Sequence, residues 1–196
     1  PECVTYEQRN EAQQVFIDFQ KTKCPFDLCR DILETTQIPF VQFQAGCCLK
    51  NGVIRDWQSL SIEQRQILLT YLNEFVNNKP IEPYVREVLL LVCAIILKRI
   101  AIDEGNDSMT LTEILNFLFE TISNATLRSD LRIIACSSIL SLLNEYSSST
   151  RASDFGLPWI THLRAKKKFE NTHLKSIFRC VLESLITDLK IKEENR

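Results

Sequence analysis

The sequence predicts an all-α protein, an α-α superhelix (right-handed solenoid) of HEAT/ARM-like helical hairpins, on three observations. Apolar residues recur at i, i+3, i+4 in one stretch after another, the period of a helix with one buried face. Only four glycines and six prolines occur in 196 residues, too few for a domain of tight β-turns, whose positive-φ positions favour Gly. Candidate hairpin starts at Thr5, Pro39, Pro83 and Ser129 are spaced by roughly 34, 44 and 46 residues, in or near the length of HEAT and armadillo units. With 45% hydrophobic residues the chain can bury a sizeable core.

The first hairpin, about 5–35, opens with Thr5 and Gln8 spelling a capping box. Ala12, Val15, Phe16 and Phe19 then repeat at helical spacing to about Lys21. Past Lys23-Cys24, Pro25 suits a first helical turn. Phe26, Cys29, Ile32 and Leu33 form the next stripe, with Asp27, Arg30, Asp31 and Glu34 outside it.

The second hairpin, about 39–78, runs apolar through Phe40, Phe43, Cys47, Val53, Ile54 and Trp57, with Gly46 and Gly52 placed to admit a close helix neighbour. Ser61 with Gln64 is a second capping box. Behind it Ile62, Leu68, Leu69, Leu72, Phe75 and Val76 are expected inside, and Glu63, Arg65, Asn73, Glu74 and Asn77 outside.

In the third hairpin, about 82–123, Val85, the run Val88 to Leu97 and Ile100 predict a helix apolar nearly all round, as one sandwiched between neighbours must be. Lys98 and Arg99 read as cations suited to the C-terminal end of its dipole. After the loop Asp103 to Ser108, Thr110 with Glu113 reads as a third capping box, opening a stripe of Leu111, Ile114, Leu115, Leu118 and Ile122.

The fourth hairpin, about 129–189, begins with Leu131, Ile134, Ile139, Leu142, Leu143 and Tyr146, followed by a polar, flexible insertion at about 147–156. A short helix is expected within Leu157 to Phe169. Thr172 is expected to open the last helix, whose Leu174, Ile177, Phe178, Val181, Leu182, Leu185, Ile186 and Leu189 keep the helical period without a miss. The units share no strict sequence identity, which leaves a non-repeating helical bundle as the alternative architecture.

Charge narrows the partners. Lys plus Arg total 23 against 25 for Asp plus Glu, so a net charge of -2 gives no reason to expect nucleic acid or an anionic membrane. The one basic cluster, Arg164, Lys166, Lys167 and Lys168, reads as a solvated face, with partner binding as the competing reading. The longest apolar run is half of the ~20 residues a bilayer span needs. The opening Pro1 to Lys23 is too charged for a signal peptide, so a soluble intracellular protein is expected.

Candidate chemistry is sparse. Of eight cysteines (Cys3, Cys24, Cys29, Cys47, Cys48, Cys93, Cys136, Cys180), most fall on apolar helical faces, and none forms a C-x-x-C pair. They read as free buried thiols, and no metal or other cofactor is expected. No phosphate-cradling glycine loop, G-x-S-x-G elbow, H-E-x-x-H helix or EF-hand loop is present. His162 and His173 near Cys180 lack a third group, so no catalytic residue is assigned and no enzyme is expected.

Several strings point to a family: Glu7-Gln8-Arg9 leading to Phe16 and Phe19, Lys21 to Phe26, Ile32-Leu33-Glu34-Thr35, Phe43-Gln44-Ala45, Val53 to Trp57, Tyr84 to Glu87 through Lys98-Arg99, Gly156-Leu157, His162, Phe169, and Leu174 to Phe178. In that order, across nearly the whole chain, they resemble the N-terminal region of the exportin-4 family of the importin-β (karyopherin) superfamily. The resemblance implies a HEAT solenoid that binds protein cargo together with GTP-bound Ran, shuttles between nucleus and cytoplasm, and passes the nuclear pore by contacts with Phe-Gly repeat proteins. The cargo it implies is the hypusine-bearing translation factor.

In that superfamily the second helices of the N-terminal hairpins grip Ran from the inner wall. The resemblance therefore places a Ran surface on Pro25 to Thr35, Ser61 to Asn77 and Thr110 to Ile122. The residues off the apolar stripes there, Asp27, Asp31, Glu34, Asn73, Glu74, Glu113 and Asn116, are the candidate contacts. The periodicity alone equally supports a Ran-independent cytosolic HEAT/armadillo scaffold. An RNA-binding repeat is disfavoured, because these helices carry more acid than base.

Overall fold

Helix α5, Pro83–Asp103, organises the fold: thirteen of its residues from Val85 to Ile100 are buried, so neighbours must cover it on every side. The computed structural model describes residues 5–23, 25–105, 109–147 and 156–194, without the side chains of Gln20 and of residues 191–194. The remaining helices are α1 (Tyr6–Lys21), α2 (Phe26–Thr35), α3 (Pro39–Asp56), α4 (Ile62–Asn78), α6 (Met109–Ser123), α7 (Ser129–Ser147), α8 (Trp159–Phe169) and α9 (Lys175–Glu194). Among the described residues there is no strand.

These helices form an all-α solenoid of stacked hairpins. One layer runs α1, α3, α5, α7, each against the next; α2 packs on α3, α4 on α5, and α6 on α5, α7 and α9. Between the layers lie Leu33, Leu49, Val53, Leu72, Val85 and Leu89, none more than 1% exposed. Each such fully buried aliphatic side chain contributes about 1.5–3 kcal/mol. Close approach of α3 to α5 depends on Gly46, where a Cβ would stand 2.6 Å from Val88 Cγ1; Gly52 likewise admits Pro25, 3.1 Å from its would-be Cβ.

The expected starts of α1 and α4 form as read. Thr5 Oγ1 accepts from Gln8 N at 3.2 Å while Thr5 N donates to Gln8 Oε1 at 2.9 Å, and Ser61 and Gln64 repeat the arrangement. The third expected capping box does not form. Helix α6 starts at Met109, and the Thr110 hydroxyl donates to the Glu104 carboxylate instead. Nor does Thr172 open a helix. A π-helical turn over Glu170–Leu174 carries α8 straight into α9, and the Thr172 hydroxyl donates back to Lys168 O at 2.8 Å, as Thr does inside helices.

Other expectations fail on burial. Ile62, expected inside, is 71% exposed, and Val15 is 70% exposed. Both stand near a helix end or on α1 at the margin of the stack, where the apolar period outruns the neighbours available to cover it. The expected flexible insertion lies almost wholly in 148–155, outside the described residues, as do 106–108 of the α5–α6 loop.

A polar clamp holds the ends of α3, α4 and α5 together. Trp57 Nε1 donates to Asp103 Oδ2 at 2.9 Å, and Arg65 Nη1 meets the same oxygen at 2.7 Å. The Arg65 guanidinium lies 4.2 Å above the Trp57 ring and that of Arg99 5.6 Å from it, within cation–π range. Farther along, Arg132 of α7 donates to Ile122 O and to both Asp188 oxygens at 2.9 Å, tying α6, α7 and α9.

Candidate functional site

The outward sides of α2, α4 and α6 carry the candidate residues, and the structure joins the first two of these helices directly. Glu34 on α2 forms an ion pair with Lys79 just past α4 at 2.8 Å, and Tyr71 of α4 donates to the same carboxylate at 3.3 Å. The Lys79 hydrogen bond holds the Glu34 carboxyl below its ordinary value. Burial, then the Glu34 charge, pushes the Tyr71 hydroxyl up.

Around this staple the acids are open. Asp27 is 92% exposed beside Arg30 at 3.4 Å, and Asp31 and Glu74 are exposed as well. Asn73 is half-buried and spends its amide on Leu69 O at 3.0 Å, one turn back. Glu113 and Asn116 are exposed on α6. Glu113, however, borders a cavity of about 730 Å³ between the start of α6 and α8, a feature unrelated to the α2–α4 staple.

The most buried charges lie elsewhere and escaped the sequence reading. Lys98, expected to face the helix end as a dipole partner, is 0% exposed. Its Nζ donates to Glu145 Oε1 at 2.8 Å and to Glu145 O at 2.9 Å, and lies 2.9 Å from His162 Nδ1. Burial lowers the Lys98 pKa, and the Glu145 carboxylate offsets part of that shift. His162 is 0% exposed, with its ring stacked on Trp159 at 5.2 Å. Nothing local to Lys98 marks this network, because its partners stand 47 and 64 residues away.

Among the described residues no three His, Cys, Asp or Glu side chains converge as metal ligands, and no helix is long and apolar enough to cross a membrane. The groups that do converge are hydrogen-bonded braces. The open groups are carboxylates on α2, α4 and α6 with the Asn116 amide, suited to contacting another protein over a broad area.

A family model described as Exportin-4 matches residues 2–195. The chain belongs to the exportin-4 family. Membership groups it with karyopherin-type transport receptors. It is 26% identical over 188 residues to Exportin-4 of Dictyostelium discoideum, covering 91% of this chain and 16% of that protein. It is also 25% identical over 171 residues to human Ran-binding protein 17, covering 87% of this chain and 15% of the relative. This exportin-4 family chain thus spans less than a fifth of the length of the curated relatives it matches.

Proposed function

We propose that this chain is the N-terminal segment of a nuclear export receptor that binds GTP-bound Ran and helps carry protein cargo from nucleus to cytoplasm. The observation that carries the reading is the α2–α4 surface: exposed Asp27, Asp31 and Glu74 surround a Glu34–Lys79–Tyr71 staple that fixes the two helices relative to each other. The bridge links α2 to the end of α4, so carboxylates of both helices lie on one surface. Family membership and a relative whose name records Ran binding support the partner.

In this reading Asp27, Asp31, Glu34, Asn73, Glu74, Glu113 and Asn116 form the Ran-facing surface. The hypusine-bearing translation factor is the cargo and Phe-Gly repeat proteins are the pore contacts. Each hairpin packs mainly on its neighbours, so small rotations add along the array and couple one ligand to the other.

The test is titration of the chain with Ran locked in its GTP state and in its GDP state. The Asp31→Ala/Glu74→Ala variant should weaken the GTP-state complex, mainly through a slower on-rate and a flatter salt dependence. Glu34→Ala leaves Lys79 unpaired, so it is compared with Glu34→Ala/Lys79→Ala. Equal binding to both nucleotide states overturns the reading in favour of a Ran-independent scaffold, and unchanged binding by the variants removes these residues from the site.

A further inference from the structure

The cavity of about 730 Å³ between the end of α5, the start of α6, the end of α7 and α8 has a preformed aromatic floor. There Tyr146 and Phe169 stack with ring centroids 4.0 Å apart and planes 8° from parallel, and Leu111 stands beside them. Its rim is charged. Arg164 and Lys168 of α8 border it on one side and Glu113 of α6 on the other. Arg164 is exposed and forms no ion pair among the described residues. Lys167, next to the rim, is exposed too. Burial and then Lys168 lower the pKa of His173, which leaves that lining group uncharged at neutral pH.

We infer that this cavity is a docking site for an acidic peptide segment of a partner protein, one apolar side chain seated on the Tyr146–Phe169 floor and its carboxylates against Arg164 and Lys168. Charge complementarity selects this occupant. The chain as a whole is net negative, yet α8 concentrates Arg164, Lys166, Lys167 and Lys168. Glu113 sets polarity, since it repels carboxylates from the α6 side and confines them to α8. The π-helical turn at Glu170–Leu174 contributes Thr172 and His173 to the lining, and such turns are frequent at functional sites. The inference does not rest on Ran binding, whose proposed surface shares only Glu113 with this cavity.

Fluorescence anisotropy of the whole chain with a labelled Glu-Asp-Phe-Glu-Asp peptide tests it, against one probe with Ser for Phe and one with Lys for the acids. The acidic Phe probe should bind tightest, and Arg164→Glu should weaken it on the order of tenfold while leaving the melting curve and Ran binding unchanged. Benzoylphenylalanine in place of Phe should label Met109, the chain's single methionine, which stands at the lip, 69% exposed. This last readout needs no variant to fold. Equal binding of the acidic and basic probes, labelling confined to other residues, or no saturable binding up to millimolar concentration overturns the proposal. So does Arg164-dependent binding to phosphatidylserine vesicles in place of the peptide.

Discussion

Lys98 Nζ lies 2.9 Å from His162 Nδ1, and this contact ties the central helix α5 to α8 across 64 residues of sequence. Glu145 of α7 takes the remaining reach of the ammonium with its carboxylate and its backbone oxygen. Three helices, α5, α7 and α8, are therefore held by one cation that water does not reach. A buried pair that is fully hydrogen-bonded adds little over an apolar replacement, but removing one member strands the other.

Lys98→Met should accordingly destabilise the chain by about 3–5 kcal/mol, measured by urea unfolding, and Lys98→Met/Glu145→Gln should cost less than the two changes summed. The pH dependence follows from the sign of the shift. Burial sets the folded-state pKa of Lys98 below its ordinary value, so between the two the unfolded chain holds more protons. Stability from this site then rises with pH up to the ordinary lysine value. Glu145, His162, Arg99 and Tyr146 surround the ammonium, so the comparison is wild type minus Lys98→Met. A difference that does not rise as the pH approaches the ordinary lysine value of about 10 contradicts the assignment.

Helix spacing gives a second prediction. At Gly46 a Cβ would meet Val88 Cγ1 at 2.6 Å, and a β-branched neighbour has little freedom to yield. Gly46→Ala should cost about 1–3 kcal/mol in thermal or urea unfolding, and Val88→Ala should recover part of it. Gly156→Ala should cost a similar amount without rescue by Ile54→Ala. Its φ is +57° and its Cβ would stand 3.0 Å from the Ile54 backbone oxygen, which no side-chain change removes. Additive costs in the Gly46/Val88 pair would show that α3 and α5 are not in contact there.

The cysteines yield a third. Burial pushes the Cys93 thiol up to about 12, and the hydrogen bond to Cys48, then burial, pushes Cys29 up as well. Cys136 is exposed. Native-state alkylation at pH 8, read site by site by mass spectrometry, should therefore label Cys136 first among these and reach Cys29 and Cys93 only on unfolding. Equal rates at Cys93 and Cys136 would mean that α5 opens on the labelling timescale.

These sites separate what the sequence carries locally from what it does not. The Thr5–Gln8 and Ser61–Gln64 boxes span three residues each, and the apolar run in α5 is visible in one stretch, so both could be read directly. Thr110 lies inside α6, which starts at Met109, and its hydroxyl donates to Glu104, so it does not stand at the N-cap that its spacing to Glu113 suggests. Lys98–His162 and Glu34–Lys79 join residues 64 and 45 positions apart. Only the stacking of hairpins decides such pairs. Candidate surface residues, Glu113 among them, were legible as polar positions off a stripe, whereas the α8 cavity that Glu113 borders was not.

The last prediction concerns α9, whose apolar stripe has the right period but faces away from the other helices. Ile177 and Cys180 are buried at 2% and 8%, and Arg132 grips Asp188 on that side. Phe178, Leu182, Leu185, Ile186 and Leu189 remain 43–69% exposed. A contiguous apolar strip of this kind favours association in water, so the 196-residue chain should show concentration-dependent self-association by sedimentation velocity. Leu185→Glu/Leu189→Glu should abolish it while changing unfolding stability by no more than about 0.5 kcal/mol, as expected of exposed positions. A large loss of stability in that variant would mean that the stripe is covered within the chain, and undiminished association would place the contact elsewhere.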